Sequence, residues 1–276
     1  AAAGGGGRGM RVVETPDEMA AAFERCQSEA EGAFGNGAIF AERLVRRPRH
    51  IEVQILADQQ GNIVHLHERD CSVQLRNQKV LEIAPSMGLD ESLRQRLLAD
   101  AVKLCQGAEY VNAGTVEFLV EPETGDYYFI ECNPRIQVEH TVTEQITGID
   151  LVEAQFRIAA GESLESMGIA NQESIPEPRG YSVQARVVVQ GIGTLSAYKE
   201  PSGPGVRVDG NGYVGYTPPP QFDPLLAKVI GSSSSMGNLA SAVERTLGAL
   251  SEFHIGGVPT NLAQLRSILL HPSVRG

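Results

Sequence analysis

Two extended runs, Thr115 to Glu121 and Tyr127 to Asn133, flank Pro122-Glu123-Thr124-Gly125-Asp126. That short segment carries the Pro, Gly and Asp expected of a hairpin loop. Side chains repeat every two residues along a strand, so Glu131 and Asn133 share one face. If Tyr127 pairs with Glu121 across the loop, Glu117 faces Glu131 directly. Two carboxylates about 4 Å apart repel by roughly 4 kcal/mol at an effective dielectric near 20, and a fold with no use for that pairing avoids it between apolar neighbours. A divalent cation removes the objection. Mg²⁺ (or Mn²⁺) takes a few carboxylate oxygens and fills its remaining places with water and phosphates, which suits a set of Glu117, Glu131 and Asn133. The competing arrangement is a one-residue slip that separates the carboxylates.

The hairpin runs into Asn133-Pro134-Arg135-Ile136-Gln137-Val138-Glu139-His140. If this segment is extended, Arg135, Gln137 and Glu139 fall on one side. A guanidinium offers a planar fork to a small carboxylate-like anion, and a nearby Glu can remove a proton from it. A surface salt bridge is the alternative. The segment from Glu68 to Lys79 is dense in hydrogen-bond donors with almost no apolar alternation. In it Lys79 or Gln74 could reach a phosphate or bicarbonate, and a solvated loop fits the composition equally well.

Elsewhere the pattern is that of a globular chain, with 276 residues and 42% apolar content, enough for a sizeable core. Gly4-Gly5-Gly6-Gly7-Arg8-Gly9 is either a flexible linker or a loop whose backbone N–H groups cover a phosphate. Residues 12 to 34 carry helical spacing, with Met19, Ala22, Phe23 and Cys26 on one face. His50 to Leu56 alternates as a half-buried strand with a polar second face, and Gly61-Asn62 turns into a strand from Ile63 to His67. Asp90 and Ser92 are candidate caps for a helix with a Leu93, Leu97, Ala101 and Leu104 stripe. Asp150 with Glu153 opens another helix, which Gly161 stops. Strands over 182–189 and 206–208 and helices over 239–250 and 262–270 follow.

The net charge of −11 excludes a nucleic-acid or anionic-membrane surface, which needs clustered cations. Cys26, Cys71, Cys105 and Cys132 form no C-x-x-C pair and suit small buried residues in a reducing compartment. There is neither an apolar run of roughly 20 residues nor a signal-peptide pattern, so a cytoplasmic or organellar protein is expected.

GGGGRGM, PRHIEVQILAD, ERDCSVQ followed by NQK, GTVEFLVE, FIECNPRIQVEHTVTEQITGIDLVEAQ and FDPLLAKVI agree in order and spacing with one family. Across its whole length the chain resembles the biotin carboxylases of the ATP-grasp superfamily. The resemblance implies an α+β ATP-grasp fold with a C-terminal biotin carboxylase subdomain and with the N-terminal Rossmann-like domain absent. The implied divisions are a partial lid (1–48), a core with the metal and bicarbonate site (49–161) and the C-terminal subdomain (162–276). It also implies that bicarbonate attacks the γ-phosphate of ATP to give carboxyphosphate, whose CO₂ carboxylates N1′ of biotin presented on a carrier, in a cytoplasmic or mitochondrial-matrix enzyme.

By the same resemblance, Gly6, Gly7 and Met10 belong to a lid over ATP, and Glu42, Arg43, Leu44 and Val45 to the adenine-facing hinge. His50, Gln74, Asn77, Leu119 and Ile130 make nucleotide contacts, while Glu117, Glu131 and Asn133 hold magnesium. Lys79, Arg135, Gln137 and the Val138 backbone bind bicarbonate. Glu139 is the general base, Arg135 also stabilises the biotin enolate, and Arg186 lies near biotin. The implied partners are a biotin carboxyl carrier domain, a carboxyltransferase and further copies of the chain. Several positions depart from the family pattern. Asn77 stands where a His is usual, Leu75 where Arg is common and Arg43 where Lys is usual. A short segment also follows Arg186 where relatives have a longer acidic loop. The stretch from Tyr198 to Asp209 leans toward acyl-CoA carboxylases, with pyruvate carboxylase as the alternative on His140-Thr141-Val142-Thr143-Glu144. An idle scaffold is the remaining possibility.

Overall fold

The computed structural model describes residues 10–234 and 238–275, in two compact units, 1–47 with 75–78 and 48–74 with 79–276. In the first unit a short 3-10 turn, Pro16–Glu18, leads into α1 (Met19–Phe34), which Gly35 ends at φ 66°. The helix starts later than position 12 because the residue before a proline is driven to extended backbone, and Thr15 sits at φ −130°, ψ 151°. Cys26 and Ala30 are its buried residues. Met19 and Phe23 are largely exposed, so the expected apolar face is rotated.

The second unit is built in the order β1 (Arg49–Ala57), β2 (Ile63–Leu75), β3 (Gln78–Ala84), α2 (Glu91–Gly107), β4 (Asn112–Val120), β5 (Tyr127–Asn133), α3 (His140–Thr147) and α4 (Leu151–Ala159). It continues with β6 (Ser182–Val188), β7 (Ala197–Lys199), β8 (Val206–Gly210), β9 (Leu225–Ser232), α5 (Leu239–Glu252), β10 (His254–Gly256), α6 (Leu262–Leu269) and α7 (Pro272–Arg275). Eight strands form one sheet in the order β5-β4-β1-β2-β3-β6-β9-β8, and β10 pairs with β7. The α+β class expected from the sequence is the one observed. No helix among the described residues is long and apolar enough to cross a membrane.

The sheet is covered in patches. Leu93, Leu97, Leu98, Ala101 and Cys105 of α2 pack on Ile51, Val53, Ile55, Val116 and Phe118. Leu151, Ala154 and Ile158 of α4 pack with Leu56, Val64, Leu66 and Ala113, and α5 and α6 bury β6 and β9. Asp90 caps α2 by accepting from the Leu93 amide. Leu104 is exposed, and the stripe runs instead through Leu98 and Cys105.

Four expectations need correction here. The β1 strand is not half-buried: Glu52 and Gln54 are as inaccessible as Ile51 and Val53, because its polar face is covered by other polar groups. The donor-rich segment 68–79 is no loop; β2 runs through it to Leu75 and β3 starts at Gln78. Its side chains do not alternate in hydropathy because one face meets charge instead of water. The segment 133–140, supposed extended in grouping Arg135, Gln137 and Glu139, leaves the strand after Asn133 and turns into α3 at His140. Cys132 is exposed on β5, whereas the other three cysteines are buried.

The hairpin loop is one residue longer than expected, with Tyr127 opposite Val120, yet Glu117 still faces Glu131. A bulge restores the register: Phe118 pairs with Phe129 and Glu117 with Glu131, leaving Ile130 as the extra residue.

At the other end of the sheet, a Cβ on Gly231 of β9 would lie 2.6 Å from the Thr246 amide nitrogen and 2.8 Å from the Ala242 carbonyl oxygen of α5. Helix and strand meet there backbone to backbone. Gly231→Ala is therefore expected to destabilise the protein by about 1–3 kcal/mol through overpacking. Urea denaturation checks this: the midpoint falls while the slope with denaturant stays constant.

Candidate functional site

Antiparallel pairing places Arg69 of β2 opposite Glu52 of β1, Glu52 opposite Glu117 of β4, and Glu117 opposite Glu131 of β5. Four charged residues thus cross four neighbouring strands in one row, on the sheet face opposite the α2 core. The next row toward the β5–α3 turn holds Gln54, Thr115 and Asn133, and the next row the other way holds His50 beside Leu119.

Lys79 stands over this row. Its ammonium donates to Glu52 at 2.6 Å, Glu139 at 2.7 Å and Glu117 at 3.1 Å. Burial alone would lower its pKa, but the charges of Glu52, Glu139 and Glu117 outweigh that and hold it well above the ordinary lysine range. Burial likewise acts to raise Glu52, and Arg69 and Lys79 reverse the shift, so that carboxylate stays ionised while fully enclosed. Like-charged Glu52 and Glu117 can pair across β1 and β4 because Lys79 bonds to both.

Glu117 is the most heavily bonded acid of the row. His50 Nε2 meets it at 2.5 Å, and Gln137 and Asn133 donate amide protons at 2.8 and 3.0 Å. The Gln74 amide lies 2.9 Å from His50 Nδ1. An amide nitrogen can only donate, so Nδ1 accepts and the tautomer with Nε2–H toward Glu117 follows from the network. Burial would raise Glu117, but the His50 hydrogen bond and the Lys79 charge pull its pKa down to about 2.

Asn133 Nδ2 reaches Glu117 Oε1 at 3.0 Å and Glu131 Oε1 at 3.2 Å. Two carboxylate oxygens from facing strands therefore converge on a single atom position. A half-turn of the amide puts Oδ1 there instead, and the resulting all-oxygen set fits a hard divalent cation. Arg135 is exposed beside this set, 3.4 Å from Asn133 Oδ1.

The turn between β5 and α3 brings Gln137 and Glu139 in, both buried. Glu139 bonds Lys79 through one oxygen and Arg186 of β6 through the other, at 3.0 Å. Arg186, whose position was the least determined by sequence, thus reaches the same carboxylate as Lys79. The Val138 carbonyl accepts from Lys228 of β9 at 3.3 Å. Leu119 lies on the row face and Ile130 is the exposed bulge residue.

Not all expected residues are in this assembly. Gly6 and Gly7 lie outside the described residues. In the first unit Met10 and Leu44 are exposed and Val45 is buried, and 36–47 contains no helix or strand. Glu42 and Arg43 are exposed there, and Asn77 occupies a left-handed turn position at φ 64°.

Comparison with known proteins matches residues 1–167 to the model of the carbamoyl-phosphate synthase L chain ATP-binding domain, and residues 184–276 to that of the biotin carboxylase C-terminal domain. The chain belongs to the ATP-grasp biotin carboxylase family. Pyruvate carboxylase of Aspergillus niger is 51% identical over 99% of this chain and 23% of its own length. The biotin carboxylase domain of Hydrogenobacter thermophilus 2-oxoglutarate carboxylase, solved as a dimer with MgADP, ADP and bicarbonate, superposes with a TM-score of 0.93. It is 42% identical, over 100% of this chain and 60% of that one. Rhizobium etli pyruvate carboxylase, solved with acetyl coenzyme A, gives a TM-score of 0.92 at 46% identity, over 99% of this chain and 25% of that one. The chain therefore spans about a quarter of the length of the pyruvate carboxylases it matches.

In this biotin carboxylase chain the structure adds residues that sequence reasoning passed over. Glu52 was noticed only as part of a polar strand face, although its spacing of two from His50 was a usable signal. Arg69, Glu82 and Lys228 carried no such signal, since their partners lie far away in sequence. Glu82 is fully buried, accepting from Arg186 at 2.5 Å and from Gln184 at 2.9 Å, and burial pushes its pKa up to about 7 against the pull of Arg186.

The Glu117 geometry has a measurable consequence. A carboxyl with a folded pKa near 2 and an unfolded one near 4.3 adds stability above about pH 4.3, which is lost as pH falls toward 2. In metal-free protein, carbon-13 NMR of labelled glutamate is expected to show one buried carboxyl titrating near pH 2 that moves upward in His50→Ala. A carboxyl that stays put would rule out the hydrogen bond as the cause.

Proposed function

We propose that this chain carries the ATP-dependent carboxylation of biotin by bicarbonate, in a carboxylase whose final acceptor is pyruvate. The observation that carries the reading is the convergence of Lys79 and Arg186 on the Glu139 carboxylate, next to Gln137 bonded to Glu117 and the facing pair Glu117 and Glu131. Lys79, Gln137, Arg135 and the Val138 amide hold bicarbonate as an anion, and Glu139 takes its proton. Lys79 and Arg186 orient Glu139, one on each oxygen. The bicarbonate oxygen then bonds to the γ-phosphorus as the bond to ADP breaks, giving carboxyphosphate. Carboxyphosphate splits into CO₂ and phosphate, CO₂ bonds to N1′ of biotin, and the N1′ proton passes to phosphate. Arg135 stabilises the enolate form of biotin by charge.

Glu117, Glu131 and Asn133 would hold Mg²⁺, which when bound neutralises the β- and γ-phosphate oxygens. His50, Gln74, Leu119 and Ile130 would face the nucleotide. The partners would be a biotinylated carrier domain, a carboxyltransferase and a second copy of the chain.

The acceptor is argued from the relatives. The Aspergillus niger and Rhizobium etli proteins are pyruvate carboxylases and the Hydrogenobacter thermophilus one a 2-oxoglutarate carboxylase, so a 2-oxo acid acceptor is better supported than the acyl-CoA one that residues 198–209 suggested.

In the full protein, bicarbonate-dependent ADP release in the presence of biotin is the expected activity, and carboxylation of pyruvate but not of acetyl-CoA the expected outcome. Glu139→Gln is expected to lower ADP release about 10²–10⁴-fold, the range of a general base. Full activity in that variant would overturn the assignment of the base, and ADP release indifferent to bicarbonate would overturn the function.

A further inference from the structure

Arg69 is the largest of the fully buried side chains, with no exposed surface. A guanidinium has five N–H donors and no acceptor, and here each finds a partner. Nε donates to Glu52 Oε1 at 2.5 Å. Nη1 donates to Gln54 Oε1 at 2.7 Å and Thr143 Oγ1 at 3.0 Å. Nη2 donates to Thr115 Oγ1 at 3.2 Å and Gln137 Oε1 at 3.4 Å. With every donor used inside the protein, none remains for a substrate.

Two of these partners lead outward to the bicarbonate-binding groups. Glu52 gives one oxygen to Arg69 and the other to Lys79, at 2.6 Å, so the guanidinium fixes the carboxylate that aims the lysine. Gln137 is an amide whose two ends are nearly the same shape, and its orientation is set by what each end meets. Arg69 tolerates only an acceptor, so Oε1 turns inward and Nε2 must point outward, where it lies 2.8 Å from Glu117 Oε1.

We propose that Arg69 is a positioning residue for bicarbonate: it acts through Glu52 and Gln137 to present the Lys79 ammonium and the Gln137 amide donor to the anion. The kinetic part of this proposal rests on the biotin carboxylase reading, while the orientation of Gln137 does not. A lysine at the same place keeps one positive charge for Glu52 but is a point donor, without the planar fork that spans from Glu52 to Gln137.

The test is Arg69→Lys in the full protein, read both by structure and by kinetics. The crystal structure is expected to show the Gln137 amide displaced from Glu117, with Glu52 still paired. Kinetically, KM for bicarbonate is expected to rise about tenfold or more, as when an outer partner of a binding group is lost, with KM for ATP within about twofold. Combined with Gln137→Ala, the two substitutions should raise KM for bicarbonate by less than the product of their separate effects. A purely structural role would lower the melting temperature and leave KM for bicarbonate unchanged, and that result would overturn the proposal, as would a Gln137 that keeps its place. If the lysine variant does not fold, Thr143→Val, which removes one acceptor and keeps the guanidinium, is expected to raise KM for bicarbonate by a smaller factor. No rise there would also overturn it. Absence of bicarbonate-dependent ADP release in the unmodified protein would instead sink the function, with the Gln137 displacement still deciding the positioning.

Discussion

Three carboxylates, Glu52, Glu117 and Glu139, share one ammonium, that of Lys79, and the arrangement of the central strands depends on it. Without the lysine, β1 and β4 would set Glu52 against Glu117 in a buried row, with a repulsion of roughly 4 kcal/mol at 4 Å and an effective dielectric near 20. Breaking a buried pair costs far more than an exposed one because the remaining charge has no water to retreat to. The lysine comes from β3, separated from β4 by β1 and β2, and Glu139 from the turn before α3. The ion cluster therefore ties these segments together on the charged face, adding to the small apolar cluster of Ala84, Val142, Ile146 and Ile230 by which α3 packs on β3 and β9, while the hydrophobic contacts of α2 lie on the other side of β1.

Charge complementarity here also explains which parts of the site were legible in sequence. The hairpin could be read because its information is local: turn residues, period-two alternation and two acids in near register are all contained within Thr115 to Asn133. Even there the agreement depended on a compensation. Tyr127 pairs with Val120 where Glu121 was expected, and the bulge at Ile130 returns Glu131 to Glu117. Arg135, Gln137 and Glu139 were legible as a group, yet only Gln137 and Glu139 are buried in the cluster, and the chain after them turns helical.

The parts that could not be read share one cause. Hydropathy alternation marks a strand by contrast between core and water, and neither β1 nor β2 offers that contrast over the site, because their polar face is buried against polar groups. Glu52 and Gln54 read only as the polar face of a half-buried strand, and residues 68–79 fitted a solvated loop as well as an anion site. What identifies them is pairing over long separations, such as Arg69 with Thr143 and Gln137 or Arg186 with Glu82. No single segment contains that information.

The division of the sheet into an apolar face and a charged face also bears on how the site can work. Most of the groups proposed to contact bicarbonate or metal, or to orient the base, stand on strands or are bonded to them: Lys79, Glu117, Glu131, Asn133 and Arg186 are strand residues. Gln137 and Glu139 come from an irregular turn, where a site is least rigid. That turn is held at close intervals, by Arg69 on Gln137, by Lys228 on the Val138 carbonyl, and by Lys79 and Arg186 on Glu139. His140 adds a ring contact to the Gln137 carbonyl at 2.7 Å. A general base must keep its distance from the proton it takes within a few tenths of an ångström. In this chain the rigidity needed for that is borrowed from four strands of the sheet, β2, β3, β6 and β9, through charged side chains, so the same cations that balance the buried acids also hold the base in place.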